Sequence, residues 1–410
     1  MATAGREFFT VKAVSEALAE FRPAHRTPAE NVALVQAGGR VPAAPITARE
    51  ALPGFDRSSV DGYAVRARDT FGASEGIPAY LRVTGAVRMG TSAEDQVVAQ
   101  TAVAIPTGGM LPAGADAVVM IEHTQEAMPG TVEVVRPVAP GENVVRGDED
   151  AAPGAPLVSP GRPLRAQDVA MLAAAGVTEV AVHAPPRVTI LATGDEVVAP
   201  DTKALAPGQV RDALSTSIGV LVREAGGVPG SAAIIPDDRE ALRAALIEAV
   251  AASDCVVICA GSSVGGRDET AAAVAALPDS EVWCHGLAIK PGKPTLLARS
   301  GEIPIIGLPG NPRSALVIFR TIGMVLLRRV GGWTVEPRPG SIRARLSRDL
   351  PSAAGRLDIV QVRLNNDEAE PIFGPSALLS VLTAADGYVI VPEDANGLSA
   401  GDAVDVIPYG

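Results

Sequence analysis

The sequence predicts a multidomain α/β protein. A central, doubly wound, mostly parallel sheet domain follows elongated helical and mixed β regions, and a small β-barrel closes the chain. Three observations carry this. With 410 residues the chain is too long for one ordinary core. From Arg187 to Val330 apolar runs of strand length alternate with helical stretches, the grammar of parallel βαβ units. Hydrophobic residues make up 47% and aromatics only 3%, so the cores must be built from Ala, Val, Leu and Ile, which suits a sheet covered by Ala-rich helices.

Taken in order, a helical pattern runs from Val11 to Glu20. Loop and strand signals rich in Pro and Gly continue to about Arg162, with Val97 to Ile105 and Ala117 to Ile121 reading as strands. Arg165 to Gly176 reads as a helix closed by its Gly. Val188 to Thr193 then opens the α/β region. A helix from Ser217 stops at Gly226 and Gly227, and a second strand spans Gly230 to Ile235. Asp237 or Asp238 caps a helix from Glu240 to Ala252. Cys255 to Ala260 is a third strand, followed by a Gly-rich loop and a helix from about Glu269 to Leu277. Ile303 to Leu308 and a long helix from Pro312 to Val330 complete the alternation. Beyond Gly332, Ser341 to Leu346, Ile359 to Leu364, Tyr388 to Pro392 and Ala403 to Ile407 read as the strands of a small barrel or sandwich.

Charge and composition exclude several functions. A formal net charge of −12 argues against nucleic-acid or anionic-membrane binding, which needs basic patches. Any anion site must therefore bring its own Lys, backbone N–H groups or a metal. The N-terminus MATAGREFFT carries charges where a signal peptide would be apolar. Leu316 to Leu327 is too short to span a membrane and is broken by Arg320. Three Cys form no disulfide framework and fit a reducing cytoplasm.

In open α/β sheets, ligands bind outside the carboxyl ends of the strands, and here polar clusters fall at those ends. The first strand runs into Thr193-Gly194-Asp195-Glu196 and the second into Asp237-Asp238. The third opens into a loop with Gly261, Ser263, Gly265 and Asp268, and the last into Pro309-Gly310-Asn311-Pro312. Glu196, Asp237 and Asp268 are carboxylates suited to a hard cation such as Mg²⁺. The Gly/Ser loop and the helix starts expected at Asp268 and Pro312 offer N–H groups to anions. Lys290-Pro291-Gly292-Lys293-Pro294 adds two ammonium groups on a stiff turn. Each piece has a plainer reading. The three Asp residues can be helix caps, Asn311-Pro312 is a cap followed by Pro at the first helical position, and the Lys turn can be an exposed hairpin. Only the conjunction points to a nucleotide or oxyanion site with a metal. Cys255, Cys259, Cys284 and His285 raise a zinc reading, but Cys255 and Cys259 sit in an apolar strand without finger-like spacing and read as buried thiols. His25, His123 and His183 have no Ser or Cys partner at a recognisable spacing, so a hydrolase triad is unsupported.

At this point the sequence resembles the MoeA family, the molybdopterin molybdenumtransferases, which include the gephyrin C-terminal domain. The resemblance covers essentially the whole chain. Its N-terminal mark is Pro53-Gly54-Phe55-Asp56-Arg57-Ser58-Ser59-Val60-Asp61-Gly62-Tyr63-Ala64-Val65. Then come Thr107-Gly108, Asn143 to Asp150, the strand-end loops above, the Lys turn, and Gly355-Arg356-Leu357-Asp358 with Ser376. It implies an elongated dimerisation region at 1–50 and 140–184, a small mixed β domain at 51–139, the α/β domain at 185–332 and a β-barrel at 333–410. It further implies a cytoplasmic homodimer whose cleft is shared between subunits. There molybdate joins adenylylated molybdopterin and AMP leaves, with Mg²⁺ (or Zn²⁺ in its place). Asp61, Thr107, Asp150, Lys290 and Lys293 would be catalytic. Gly194, Gly261, Ser263, Gly265, Pro309, Gly310, Asn311, Pro312 and Ser376 would bind substrate, and Glu196, Asp237 and Asp268 would hold metal.

The sequence departs from the family pattern at Val145 and Gly147, where a basic run is usual, at Gly286 in place of a frequent Lys, at Ala260-Gly261, and at Pro375 before Ser376. The lost cations motivate an alternative, a gephyrin-like scaffold binding a peptide of a partner protein. A third reading, an enzyme that adenylylates molybdopterin, accounts only for the α/β portion and leaves the N-terminal half and the Asp61 loop unexplained.

Overall fold

The computed structural model describes residues 11–260, 264–337 and 339–409, with only the backbone of 264–268. The described chain forms two compact units. One holds Pro45–Ser159 and Ala166–Thr178, and the other holds the remainder.

The first unit is built on a six-stranded sheet. Its strands run in the order Ala117–Met120, Gly62–Val65, Thr101–Ile105, Ala79–Ala86, Thr131–Val134 and Thr124–Met128. All neighbours are antiparallel except the parallel pair Ala79–Ala86 and Thr101–Ile105. Small apolar side chains such as Val65, Ala102, Val119 and Val132 fill one face. A Cβ on Gly62 would lie 1.9 Å from the Val119 carbonyl oxygen, so this strand can thread the sheet only as glycine. The strand expected from Val97 begins only at Thr101, because Gln100 turns the chain with φ 60°. The helix expected from Arg165 spans Ala166–Ala174, with Gly176 in the left-handed region just beyond it.

The second unit contains the α/β layer. Its strands are β1 (Arg187–Thr193), β2 (Val228–Ile235), β3 (Cys255–Cys259), β4 (Ser280–His285), β5 (Leu296–Ser300) and β6 (Ile303–Leu308), in the order β2-β1-β3-β6-β5-β4. The first four in that order are parallel, while β5 and β4 add an antiparallel edge. Alternate residues serve opposite faces. Ile190, Val257 and Ile306 pack with helices α1 (Leu214–Glu224), α4 (Pro312–Ile318) and α5 (Met324–Val330). Leu191, Val256, Ile258 and Ile305 pack with α2 (Arg239–Ala252) and α3 (Val264–Ala275). Two-sided burial explains why these strands read as unbroken apolar runs.

Two expectations change here. Helix α3 begins at Val264 rather than near Glu269, so Asp268 lies in its second turn and not at its start. Gly265 lies in its first turn, while Gly261 and Ser263 fall outside the described residues. The long helix from Pro312 to Val330 is continuous but widens into a π-turn at Phe319–Gly323.

Five strands, Ile342–Leu346, Leu357–Asn365, Glu368–Pro371, Gly387–Val391 and Ala403–Pro408, form the C-terminal domain. Leu357–Asn365 pairs with both Glu368–Pro371 and Gly387–Val391, which closes a barrel around Leu346, Val362, Val389 and Val406. A short strand, Ile289–Lys290, joins this sheet in parallel with Leu357 and Asp358. No helix among the described residues is long and apolar enough to cross a membrane.

Candidate active site

The carboxyl ends of β2, β1, β3 and β6 lie side by side in sheet order, so their loops share one rim. At the β1 end, Gly194 takes φ 140°, and a Cβ there would lie 2.6 Å from Glu196 Oε2. Glycine thus lets the Glu196 carboxylate fold back over the turn. The Asp237 N–H donates to Asp195 Oδ1 at 3.1 Å, bringing the β1 and β2 loops together. Burial, then the charges of Glu196 and Asp195, raise the Asp237 carboxyl above its ordinary range. Asp238, by contrast, is the N-cap of α2, accepting from the Ala241 N–H at 2.7 Å. Capping therefore explains Asp238 and leaves Asp237 to the acidic cluster. Among the described residues no three acidic, His or Cys side chains converge as a metal site, and the Asp268 side chain lies outside them.

At the β6 end a cavity of about 830 Å³ opens between the α/β layer and the barrel. It is lined by Lys290, Lys293, Pro309, Gly310, Asn311 and Ser376, six of the residues singled out from sequence. Asn311 stands at the N-cap of α4 without a side-chain cap bond, so local structure does not consume its amide. Pro312 takes the first helical position. The Lys turn is fixed from behind. Thr295 Oγ1 donates to the Gly292 carbonyl at 2.7 Å, and the Leu287 N–H donates to the Lys293 carbonyl at 2.8 Å. Gly292 itself, at φ 118°, sits against Ile318 of α4.

Three charged residues of the lining carry no role in the sequence reading: Arg313, Arg356 and Asp358. Asp358 is only 2% exposed. It accepts from Arg356 Nε at 2.8 Å and Nη2 at 3.3 Å, and lies 4.0 Å from Lys290 Nζ. Pairing Ile289 with Leu357 and Lys290 with Asp358 in one sheet sets this spacing. Arg313, nearly buried, donates to Gln361 Oε1 at 2.5 Å and to the Gly374 carbonyl at 2.7 Å. Its N–H also donates to the Ser376 carbonyl at 3.1 Å, tying the start of α4 to the loop that carries Ser376. Among the described residues the wall thus holds four cationic side chains against one carboxylate, that of Asp358. Such a cavity suits a multiply charged anion.

Glu196 and Asp237 form a separate cluster farther along the rim and contribute no wall to this cavity among the described residues. In sheet order the β3 loop lies between the two groups.

In the first unit the signature loop folds onto the loop after Thr101–Ile105. The Thr107 N–H donates to Asp61 Oδ1 at 2.7 Å, and the Gly108 N–H to the Ser58 carbonyl at 2.7 Å. Asp61 and Thr107 are therefore held together. The Asp150 N–H donates to the Leu52 carbonyl at 2.9 Å, which anchors the acidic stretch to the start of the signature.

Comparison with known proteins follows the same layout. The model for the MoeA N-terminal region (domain I and II) matches residues 11–176. That for a "probable molybdopterin binding domain" matches 189–329, and that for the MoeA C-terminal region (domain IV) matches 343–409. A molybdopterin biosynthesis protein of Methanocaldococcus jannaschii is 33% identical, covering 96% of both chains. The chain belongs to the MoeA family. The molybdopterin molybdenumtransferase of Bacillus subtilis is 32% identical over 92% of this chain and 89% of its own. A solved MoeA structure from Pyrococcus horikoshii superposes with a TM-score of 0.81 at 31% identity, covering 97% of this chain and all of the other.

The departures from the usual MoeA pattern sit on well-defined backbone. Val145 pairs with Arg57 in a short antiparallel strand. The Gly147 N–H donates to Asp56 Oδ1 at 2.8 Å, and a Cβ there would lie 3.2 Å from the Phe55 backbone. Gly286 takes φ 131°, a conformation that a lysine would rarely adopt.

Proposed function

We propose that this protein is a molybdopterin molybdenumtransferase that inserts molybdate into adenylylated molybdopterin with release of AMP. The observation that carries the proposal is the cavity wall of Lys290, Lys293, Arg313 and Arg356, with Asp358 the one carboxylate among the described lining residues. Molybdate, the pterin phosphate and the adenylate phosphate are all anionic and repel one another. A cavity with surplus cations offsets that repulsion, most strongly where charge builds in the transition state. Lys290, Lys293 and Arg356 would bind the oxyanions, with Asp358 fixing the Arg356 fork. Ser376 and Asn311 would orient the anions by hydrogen bonds, and Pro309, Gly310 and Pro312 would shape the wall beside them.

The acidic cluster at Glu196 and Asp237 fits a divalent cation, because burial and then the charges of Glu196 and Asp195 disfavour the bare Asp237 carboxylate, and a bound cation offsets both. Glu196, Asp237 and Asp268 would hold Mg²⁺, with Zn²⁺ as a substitute, and the ion would neutralise charge on the adenylate phosphate. Gly194, Gly261, Ser263 and Gly265 would line the same rim. The proposal includes a homodimer in which Asp61, Thr107 and Asp150 of one subunit complete the cleft of the other. It divides the chain at 1–50 with 140–184, 51–139, 185–332 and 333–410, and places it in the cytoplasm.

Purified protein mixed with Mg²⁺, adenylylated molybdopterin and molybdate should release AMP and yield a cofactor that reconstitutes a molybdoenzyme. Absence of AMP at every molybdate concentration would overturn the proposal. The scaffold alternative raised by Val145 and Gly286 is not favoured, because relatives matched along nearly the whole chain carry the transferase name.

A further inference from the structure

The wall of the cavity of about 830 Å³ carries one aromatic ring among its described residues, that of Phe373. Aromatics make up only 3% of the chain. In the second unit Phe373 is the one exposed aromatic among the described residues, at 51% of its full exposure. Phe21, Phe319 and Tyr388 of the same unit are buried. A single exposed Phe is ordinary on a protein surface. This one differs in how it is mounted.

Phe373 follows the barrel strand Glu368–Pro371, and its main chain is fastened on both sides. The Ile372 N–H donates to the Gln361 carbonyl at 2.8 Å. The Gly374 carbonyl accepts from Nη1 of nearly buried Arg313 at 2.7 Å. The ring has a support of its own. The Arg348 guanidinium lies 5.0 Å from the ring centroid, a cation–π contact, and Arg348 Nη2 donates to the Pro371 carbonyl. Arg348 is not part of the cavity wall, so it steadies the ring without occupying the hollow.

A side chain held in this way loses little further freedom when a ligand stacks on it, so the contact is preorganised. Stacking also removes from water the hydrocarbon that Phe373 now exposes. The cations of the same wall draw any small oxyanion, whether or not it carries a ring. Phe373 adds a preference that charge alone cannot supply.

We propose that Phe373 is the stacking platform for a flat nitrogen heterocycle that enters this cavity attached to a phosphate. The proposal rests on the transferase reading for its ligands, whose adenine and pterin rings share that chemistry. Lys290, Lys293 and Arg356 hold the anionic end, and Phe373 holds the ring. Phe373 is thus a specificity-determining residue, separating a nucleotide or pterin phosphate from a bare oxyanion. The cavity falls within the range of about 300–1,000 Å³ typical of small-molecule sites, enough for one ring and its phosphates.

Equilibrium calorimetry tests this without turnover. AMP and neopterin phosphate carry the two kinds of ring, and ribose phosphate carries the anion alone. F373A should weaken at least one ring-bearing ligand about tenfold, the scale of a base–aromatic stack, and leave ribose phosphate within about twofold. F373W should keep the affinity, whereas F373L, with apolar bulk but no π face, should lose most of it. A loss for either ring-bearing ligand, or for both, supports the platform, and the ligand that responds names the ring. An equal loss for ribose phosphate, ring binding unaltered in F373A or F373L, or a parent protein that binds neither ring-bearing ligand more tightly than ribose phosphate would overturn it. AMP binding that depends on Phe373 in a protein that releases no AMP from adenylylated molybdopterin would leave the platform standing and refute the transferase reading alone.

Discussion

Replacing Gly292 with alanine tests whether the Lys turn must stay in place for turnover. Gly292 holds φ 118°, and an added Cβ would lie 2.3 Å from Cγ1 and 2.5 Å from Cδ1 of Ile318. Ordinary carbon contacts are about 3.5–4.0 Å, so roughly 1 Å of movement is required. Ile318 is fully buried inside the core, so the turn is the softer partner and the displacement falls on Lys290 and Lys293. A shift of that size in a binding group lowers turnover by on the order of 100-fold. The strained φ adds about 1–3 kcal/mol of destabilisation. Adding I318A removes both clashing atoms but empties a core position, which lowers stability by about 2–5 kcal/mol. AMP release by G292A should therefore fall about 100-fold, and G292A/I318A should regain much of that rate while melting at a lower temperature. The reasoning is refuted if G292A stays within about twofold of the parent, or if the double variant is no faster than the single one.

Further outcomes follow from the other groups. The raised Asp237 carboxyl keeps its proton to higher pH in the folded chain than in the unfolded one. Stability without metal should thus decline as pH rises through that interval, and Mg²⁺ affinity should increase over the same interval. In D237N the pH dependence and the thermal stabilisation by Mg²⁺ should both shrink, as read by calorimetry. Asp61 caps the Thr107 N–H at 2.7 Å, a bond that an amide oxygen can keep. D61N should therefore fold normally yet lose about 10²-fold or more in AMP release, whereas retained activity would reduce Asp61 to a cap. All three Cys are buried, and burial pushes Cys255 up to about 12 and Cys284 to about 11. At pH 8 a thiol reagent should label none of them in the native protein and all three after denaturation.

The α/β layer was legible because its central strands β1, β3 and β6 are buried on both faces and the helices beside them end on recognisable Gly or Asp signals. The antiparallel strands β4 and β5 were missed. Ser280–His285 carries Glu281 and an exposed Val282 on an edge, and it lacks the unbroken apolar run of its neighbours. Glu368–Pro371 was missed because a four-residue strand with two Glu side chains offers almost no periodicity. The cavity was half legible. The Lys turn and the Asn311 loop stand out as motifs, but Arg313 hides inside a helix, and its partners Gln361 and Gly374 lie 48 and 61 residues away. Arg356 and Asp358 were visible as a motif without a role, because only the strand pairing brings them to Lys290. Spacing along a chain cannot reveal such a meeting.

The short Ile289–Lys290 strand has a consequence for how such a cleft can drift over evolutionary time. Because the Leu357 N–H donates to the Ala288 carbonyl at 2.8 Å, main chain stitches two separately folded layers at the mouth of the pocket. Main-chain bonds are indifferent to side-chain identity, so neighbouring positions can mutate while the gap across the opening keeps its width. Charge in the hollow is then tuned by substitution, and its dimensions are conserved by a seam that substitution barely touches.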